Sequence, residues 1–249
     1  MKLSWLGVVV LVLAMLAAYP ASAAVPSTAG WVLAVRSEGS VASIGVLIDN
    51  LDELCSYKGL VQKQWRDVPL ENGAVLNQLT VAVDADPVVN LAFSVTAGST
   101  LTTFVITSTT VSFTPILGEA TATAGITVTD GDNQGGAVGG ATATGLFPGG
   151  KFYEARYNSP TWSTFAYLVS GPVVAPAYGT TTASETQPPW QFIGMVYDMQ
   201  SEFQFDLTPN DQASGTSSFR VREIPEPGGF LAVLTGVAGT VFVLRRRSS

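Results

Sequence analysis

The sequence predicts an all-β protein: a single antiparallel β-sandwich, with a jelly roll as a compatible variant. An N-terminal signal-peptide helix and a C-terminal single transmembrane helix are expected to flank it. Three observations lead there. Apolar residues alternate with polar ones at period two through most of the chain, and Thr, Val and aromatic residues dominate the alternating runs. Gly, Pro, Asn and Asp separate those runs, and helical periodicity is nearly absent.

The chain has 249 residues, 47% of them apolar, enough to bury a proper core. Its first residues give a short positive region at Lys2, an apolar run from Leu6 to Ala18, and the small-residue cleavage site Ala21-Ser22-Ala23. Residues 1–23 are therefore read as a signal peptide cut after Ala23, with Ala21 and Ala23 as the recognition positions; a retained anchor is the alternative reading. The folded domain is assigned to residues 24–223. Strands are expected at "GWVLAVR", "VASIGVLI", "LTVAVD", "VVNLAFSV", "LTTFVITSTTVSF", "TATAGITVT", "KFYEARY", "STFAYLVS" and "TSSFRVRE". In "YDMQSEFQFDL", Tyr197, Met199, Phe203, Phe205 and Leu207 take one face. Asp198, Gln200, Glu202, Gln204 and Asp206 take the other, which predicts one dry and one wet side. Residues 51–65 are the one stretch read as a short, turn-rich helix.

Charge narrows the partners. Without Lys2 and Arg245–Arg247, eight basic residues face 19 acidic ones, a net charge of −11 for the exported part. Such a surface repels phosphates, so nucleic acid is not an expected partner. There is no histidine, which removes Ser-His-Asp and Cys-His catalysis and His-ligated zinc or haem. Cys55 is the single cysteine, so no intrachain disulfide forms; a buried, inert thiol is the simplest role for it.

The end of the chain is organised differently. Pro225-Glu226-Pro227 is followed by 17 uncharged residues, 228–244, and then by Arg245, Arg246 and Arg247. As a helix, that run would span roughly 25 Å at ~1.5 Å per residue, near the lower limit for crossing a bilayer. The arginines stand where the positive-inside rule places cytoplasmic residues. The prolines fix φ and disfavour helix before each of them, holding Glu226 in an extended segment.

In tripeptide, span and basic end, residues 224–249 resemble a PEP-CTERM sorting domain. The resemblance implies export in a Gram-negative bacterium, an inner-membrane intermediate, and an exosortase-like membrane transpeptidase as partner. Its product would reach the cell surface or an extracellular matrix that often contains exopolysaccharide. A permanent anchor with Pro-Glu-Pro as a stiff spacer is the alternative. The Thr/Ser-rich passages "DPVVNLAFSVTAGSTLTTFVITS" and "LTPNDQASGTSSFRV" also resemble bodies that carry this tail.

No catalytic residue is assigned and no cofactor is expected. "DGDNQG" offers Asp130, Asp132 and Asn133 as candidate calcium ligands, but the loop lacks the closing glutamate of an EF-hand, and Asp-Gly turns linking strands are the favoured reading. Tyr157, Trp162 and Trp190 lie near loop signals and are candidates for stacking on sugar rings. The expected function is thus a structural surface or matrix protein. A carbohydrate-binding adhesin module is the alternative, and a two-carboxylate glycoside hydrolase a more distant one.

Overall fold

The computed structural model describes residues 61–224, apart from 71, 72, 85, 86, 109 and 133–139. The signal peptide with Ala21 and Ala23, Cys55, the first two expected strands, Asn133 and the whole tail from Pro225 lie outside the described residues.

Eleven strands are formed among these residues. They are β1 (Val61–Pro69), β2 (Val75–Asp84), β3 (Val88–Thr96), β4 (Thr102–Thr107), β5 (Val111–Thr129) and β6 (Thr142–Gly145). Then follow β7 (Lys151–Tyr157), β8 (Ser163–Ser170), β9 (Val173–Val174), β10 (Thr180–Leu207) and β11 (Gln212–Glu223). All pairings are antiparallel and belong to one continuous sheet in the order β1-β2-β3-β11-β5-β10-β6-β9; β4 and β7 also pair with β10, and β8 with β7. The all-β, antiparallel class is the one the sequence predicts.

Period two decides which side chains go inside. Leu79, Val81 and Val83 of β2 are buried, as are Val89, Leu91, Phe93 and Val95 of β3 and Ala122, Ala124, Ile126 and Val128 of β5. The bounds of β7 and β8 coincide with the expected "KFYEARY" and "STFAYLVS". The residues expected in a helix are corrected in part: 61–65 belong to β1, where Val61 pairs with Val83 and Trp65 with Leu79. A nonlocal partner supplies that hydrogen-bond ladder, and β2 offers it without regard to local propensity.

The two longest strands give the sheet its shape. One end of β10 pairs with β5; the other, from Met199 to Leu207, is held by β7, β4 and β6. Register shifts fall between Gln187 and Gln191, Phe192 and Gly194, and Val196 and Asp198. Bulges of this kind bend and twist a strand. The bent sheet closes on itself: Phe93 of β3 meets Phe203 of β10 edge-on at 5.0 Å and stacks on Phe205 at 5.8 Å, though β3 and β10 are not hydrogen-bonded. Phe165 of β8 likewise stacks on Phe219 of β11 at 5.6 Å. Phe104 and Phe152 complete the cluster around Phe205, at 5.5 and 5.9 Å.

The wet face expected on β10 is also corrected. Asp198, Gln200 and Glu202 are 4%, 8% and 5% exposed. The β7–β8 hairpin and the turn at residues 158–162 supply donors to these side chains, so the polar face is covered by other polar groups instead of water.

Candidate functional site

Two polar constellations and one group of aromatics stand out from the scaffold. The first draws its carboxylates from two loops. Asp130 follows β5, Asp132 lies two residues on, and Asp211 precedes β11; one carboxylate oxygen from each lies within 4.8 Å of the others. Asp211 is the hub and is fully buried. Its Oδ1 accepts the Gly131 amide at 3.0 Å, and its Oδ2 accepts the Thr208 hydroxyl. Its own carbonyl accepts the Ala97 amide at 2.8 Å. Asp130 Oδ2 accepts the Tyr178 amide at 2.5 Å, and Asp132 Oδ2 accepts Asn210 Nδ2 at 2.8 Å. Asn210 holds φ at +60°, a left-handed conformation that asparagine tolerates better than most residues.

Burial pushes the Asp211 carboxyl above its ordinary value, and the neighbouring Asp130 adds to the rise against the opposing pull of Thr208 and Gly131. For an acid with a raised folded-state pKa, the folded chain holds the proton more tightly than the unfolded one. Stability therefore falls as pH rises from about the unperturbed 3.8 through Asp211's own raised value, and returns on acidification. Asp211→Asn keeps one acceptor for Gly131 and offers its amide to Thr208, so it should fold. Relative to this variant, the parent chain should gain melting temperature on going from pH 7 into that window. Parallel pH profiles for the two chains would contradict the assignment.

Chemically, three carboxylates at this spacing match the needs of a hard cation such as calcium. Of the residues singled out in the sequence, the structure brings Asp130 and Asp132 together. Asp211 is an addition that the sequence could not offer, being some eighty positions away with no motif of its own. The existing bonds are those of a loop staple, and they predict a melting temperature unchanged by millimolar calcium. An upward shift of several degrees would assign a cation to the cluster.

The second constellation lies between β7 and β10. Glu154 and Glu202 are direct cross-strand partners, with 7% and 5% exposure. Arg156 reaches both, at 3.6 Å to Glu154 Oε2 and 2.5 Å to Glu202 Oε2. Its Nε also donates to Gln200 Oε1 at 2.8 Å, and its guanidinium lies 5.0 Å from the centre of the Trp162 ring. Thr164 donates to Glu154 Oε1 at 2.5 Å, and Gln204 to Glu202 Oε1. A carboxylate pair facing across a ladder is the kind of arrangement that glycoside hydrolysis requires. Here, however, an arginine bridges the pair and fixed donors take up further oxygens, an arrangement that holds charge in place. Nearby, burial pushes the Tyr153 phenol up to about 12, with its hydroxyl 2.8 Å from Ser201 Oγ.

The aromatic candidates separate. Tyr157 and Trp162 flank the same turn, both half-buried, and Tyr197 joins them by donating its hydroxyl to the Ser159 carbonyl at 2.9 Å. Trp190 lies nine positions from Met199, the residue paired with Tyr157, or about 30 Å along an extended strand. Its ring stacks on Arg222 at 4.2 Å. One face of each indole is thus occupied by a guanidinium.

No family model matches the chain, and no curated protein matches it. Among solved structures there is a slight likeness to the enzymatically active domain of tailspike protein 4 from bacteriophage CBA120, with 9% identity and a TM-score of 0.20. The match covers 80% of this chain but only 20% of the tailspike chain. A likeness of that size carries no argument about fold or activity.

Proposed function

We propose that this chain is an exported structural protein of the cell surface or extracellular matrix, sorted through its C-terminal segment by an exosortase-like membrane enzyme. The observation that carries the reading is the succession of residues at the end of the sequence: Pro225-Glu226-Pro227, an uncharged run, then Arg245, Arg246 and Arg247. Its position supports the reading. The Ile224 amide donates to the Leu117 carbonyl at 2.9 Å, so backbone pairing of the domain continues up to the residue before Pro225. Prolines on both sides disfavour helix at Glu226, and such a peptide directly after a paired strand suits capture by a membrane-bound peptidase cleft.

In this account the body is a β-sandwich scaffold, supported by the way β3 and β8 pack across the core on β10 and β11. Its interior polar groups serve cohesion, and Glu226 serves recognition. Replacing Glu226 with Ala should slow tail removal at least tenfold in native cells, read by intact mass. Undiminished processing would contradict the role given to that side chain. A second reading, a carbohydrate-binding module, is favoured by one observation: Tyr157, Trp162 and Tyr197 gather at a single turn. Retention on polysaccharide that Trp162→Ala abolishes would support it.

A further inference from the structure

Where β11 ends beside β5, and β10 continues the sheet on the far side of β5, the outer face carries a group of exposed apolar side chains. Phe192, Met195 and Leu117 are 64%, 55% and 41% exposed. Their grouping follows from the ladder. Phe192 pairs with Glu119 and Met195 with Leu117, while a register shift at Gly194, with φ at +80°, turns two residues three apart onto one side. Arg222 pairs with Glu119 on the next strand, and continuing that register brings Ile224 opposite Leu117. Beside the patch Arg222 is paired, its Nη2 2.7 Å from Glu119 Oε2 and its guanidinium beneath the Trp190 ring, while Arg220, two residues back along β11, is a further exposed cation on this face.

We propose that this face is a lipid-contact surface, resting on the bilayer while the tail is still attached. The proposal rests on the reading of residues 228–244 as a membrane span. Gly228 is four residues beyond Ile224, no more than about 14 Å of extended chain. The headgroup layer takes up roughly 5–7 Å of that reach. A short tether starting at the edge of the patch brings Leu117, Met195 and Phe192 to the membrane surface. Exposed apolar side chains around a self-neutralised ion pair, with a tryptophan beside them, match the chemistry of the interfacial zone. Resting there, the domain presents Pro225-Glu226-Pro227 at the depth where a membrane enzyme reads it.

The test uses the full chain with Cys55→Ser, reconstituted in phosphatidylethanolamine/phosphatidylglycerol vesicles containing nitroxide-headgroup lipid. A fluorophore is placed at Met195→Cys or, as a control, at Thr216→Cys. Thr216 is exposed and lies eight positions up β11 from Ile224, about 27 Å away. Quenching at position 195 should exceed that at 216 at least twofold. Equal, weak quenching at both in a chain that survives a carbonate wash overturns the lipid-contact surface and leaves the span intact. A probe at 195 that is shielded from water yet unquenched overturns it too, because the tail itself then covers the patch. Loss of the chain in the wash removes the span, and the surface proposal falls with it.

Discussion

Replacing Arg156 with methionine should lower unfolding free energy by about 3–5 kcal/mol, the usual cost of removing one partner from a buried charge pair. The reason is specific to this ladder. Glu154 and Glu202 face each other across β7 and β10, nearly excluded from water, and Arg156 is the cation bound to both. Without it two carboxylates are left opposed in a poorly solvated site, and Gln200 loses its donor. The compensated variant Arg156→Met with Glu154→Gln and Glu202→Gln should recover most of the loss, because no unpaired charge is left buried. Denaturant unfolding of the parent, single and triple variants measures both effects. A single-variant loss below about 1 kcal/mol, the range of surface pairs, would contradict the burial assigned to this network.

Phe205→Ala should cost a similar amount, about 3–5 kcal/mol, through the cavity it opens. Phe205 is fully buried and touches three other rings, Phe93, Phe104 and Phe152. Those rings come from β3, β4 and β7, so the side chain links segments with no shared ladder as well as its direct neighbours. The surrounding backbone is pinned by pairing with β4 and β6, which limits collapse into the void. Phe205→Leu should retain more than half the lost stability by keeping most of the volume. Equal losses in the two variants would mean that the ring cluster is not the closing contact of the sheet.

Strand by strand, what the sequence discloses is what alternation can disclose. Val89, Leu91, Phe93 and Val95 announce their face because the residues between them are polar or small, and β7 and β8 announce their ends through Gly, Asn, Ser and Pro. Two kinds of information are missing from such a pattern. One is continuity: Pro188-Pro189 and Gly194 read as breaks, yet β10 runs through them as bulges because β5 holds both sides. The other is coverage. Nothing local to Asp198, Gln200 or Glu202 says that Arg156 and Ser159 from a distant hairpin will meet them. The acidic cluster divides the same way, since Asp130 and Asp132 form a visible loop signal while Asp211 arrives through the fold. β1 makes the point from the opposite side: "VQKQW" carries little strand signal of its own, and its pairing with β2 assigns it.

The sorting account and the domain meet at one position. Pairing runs up to Ile224, the proline-bracketed glutamate follows at once, and the apolar face formed by Leu117, Phe192 and Met195 lies beside that junction. If Pro225–Pro227 is where an enzyme acts, the stable strand before it determines how the peptide is offered, and loosening the end of β11 should matter as much as changing Glu226.

Intact-mass analysis of the protein recovered from native cells, separated into membrane, surface and matrix fractions, tests the central claim most directly. The account predicts a membrane form that has lost residues 1–23 but keeps the arginine end, and a surface or matrix form that has lost the arginine end as well. A surface form retaining Arg245–Arg247, or a single full-length species of 26.0 kDa in every fraction, would contradict it.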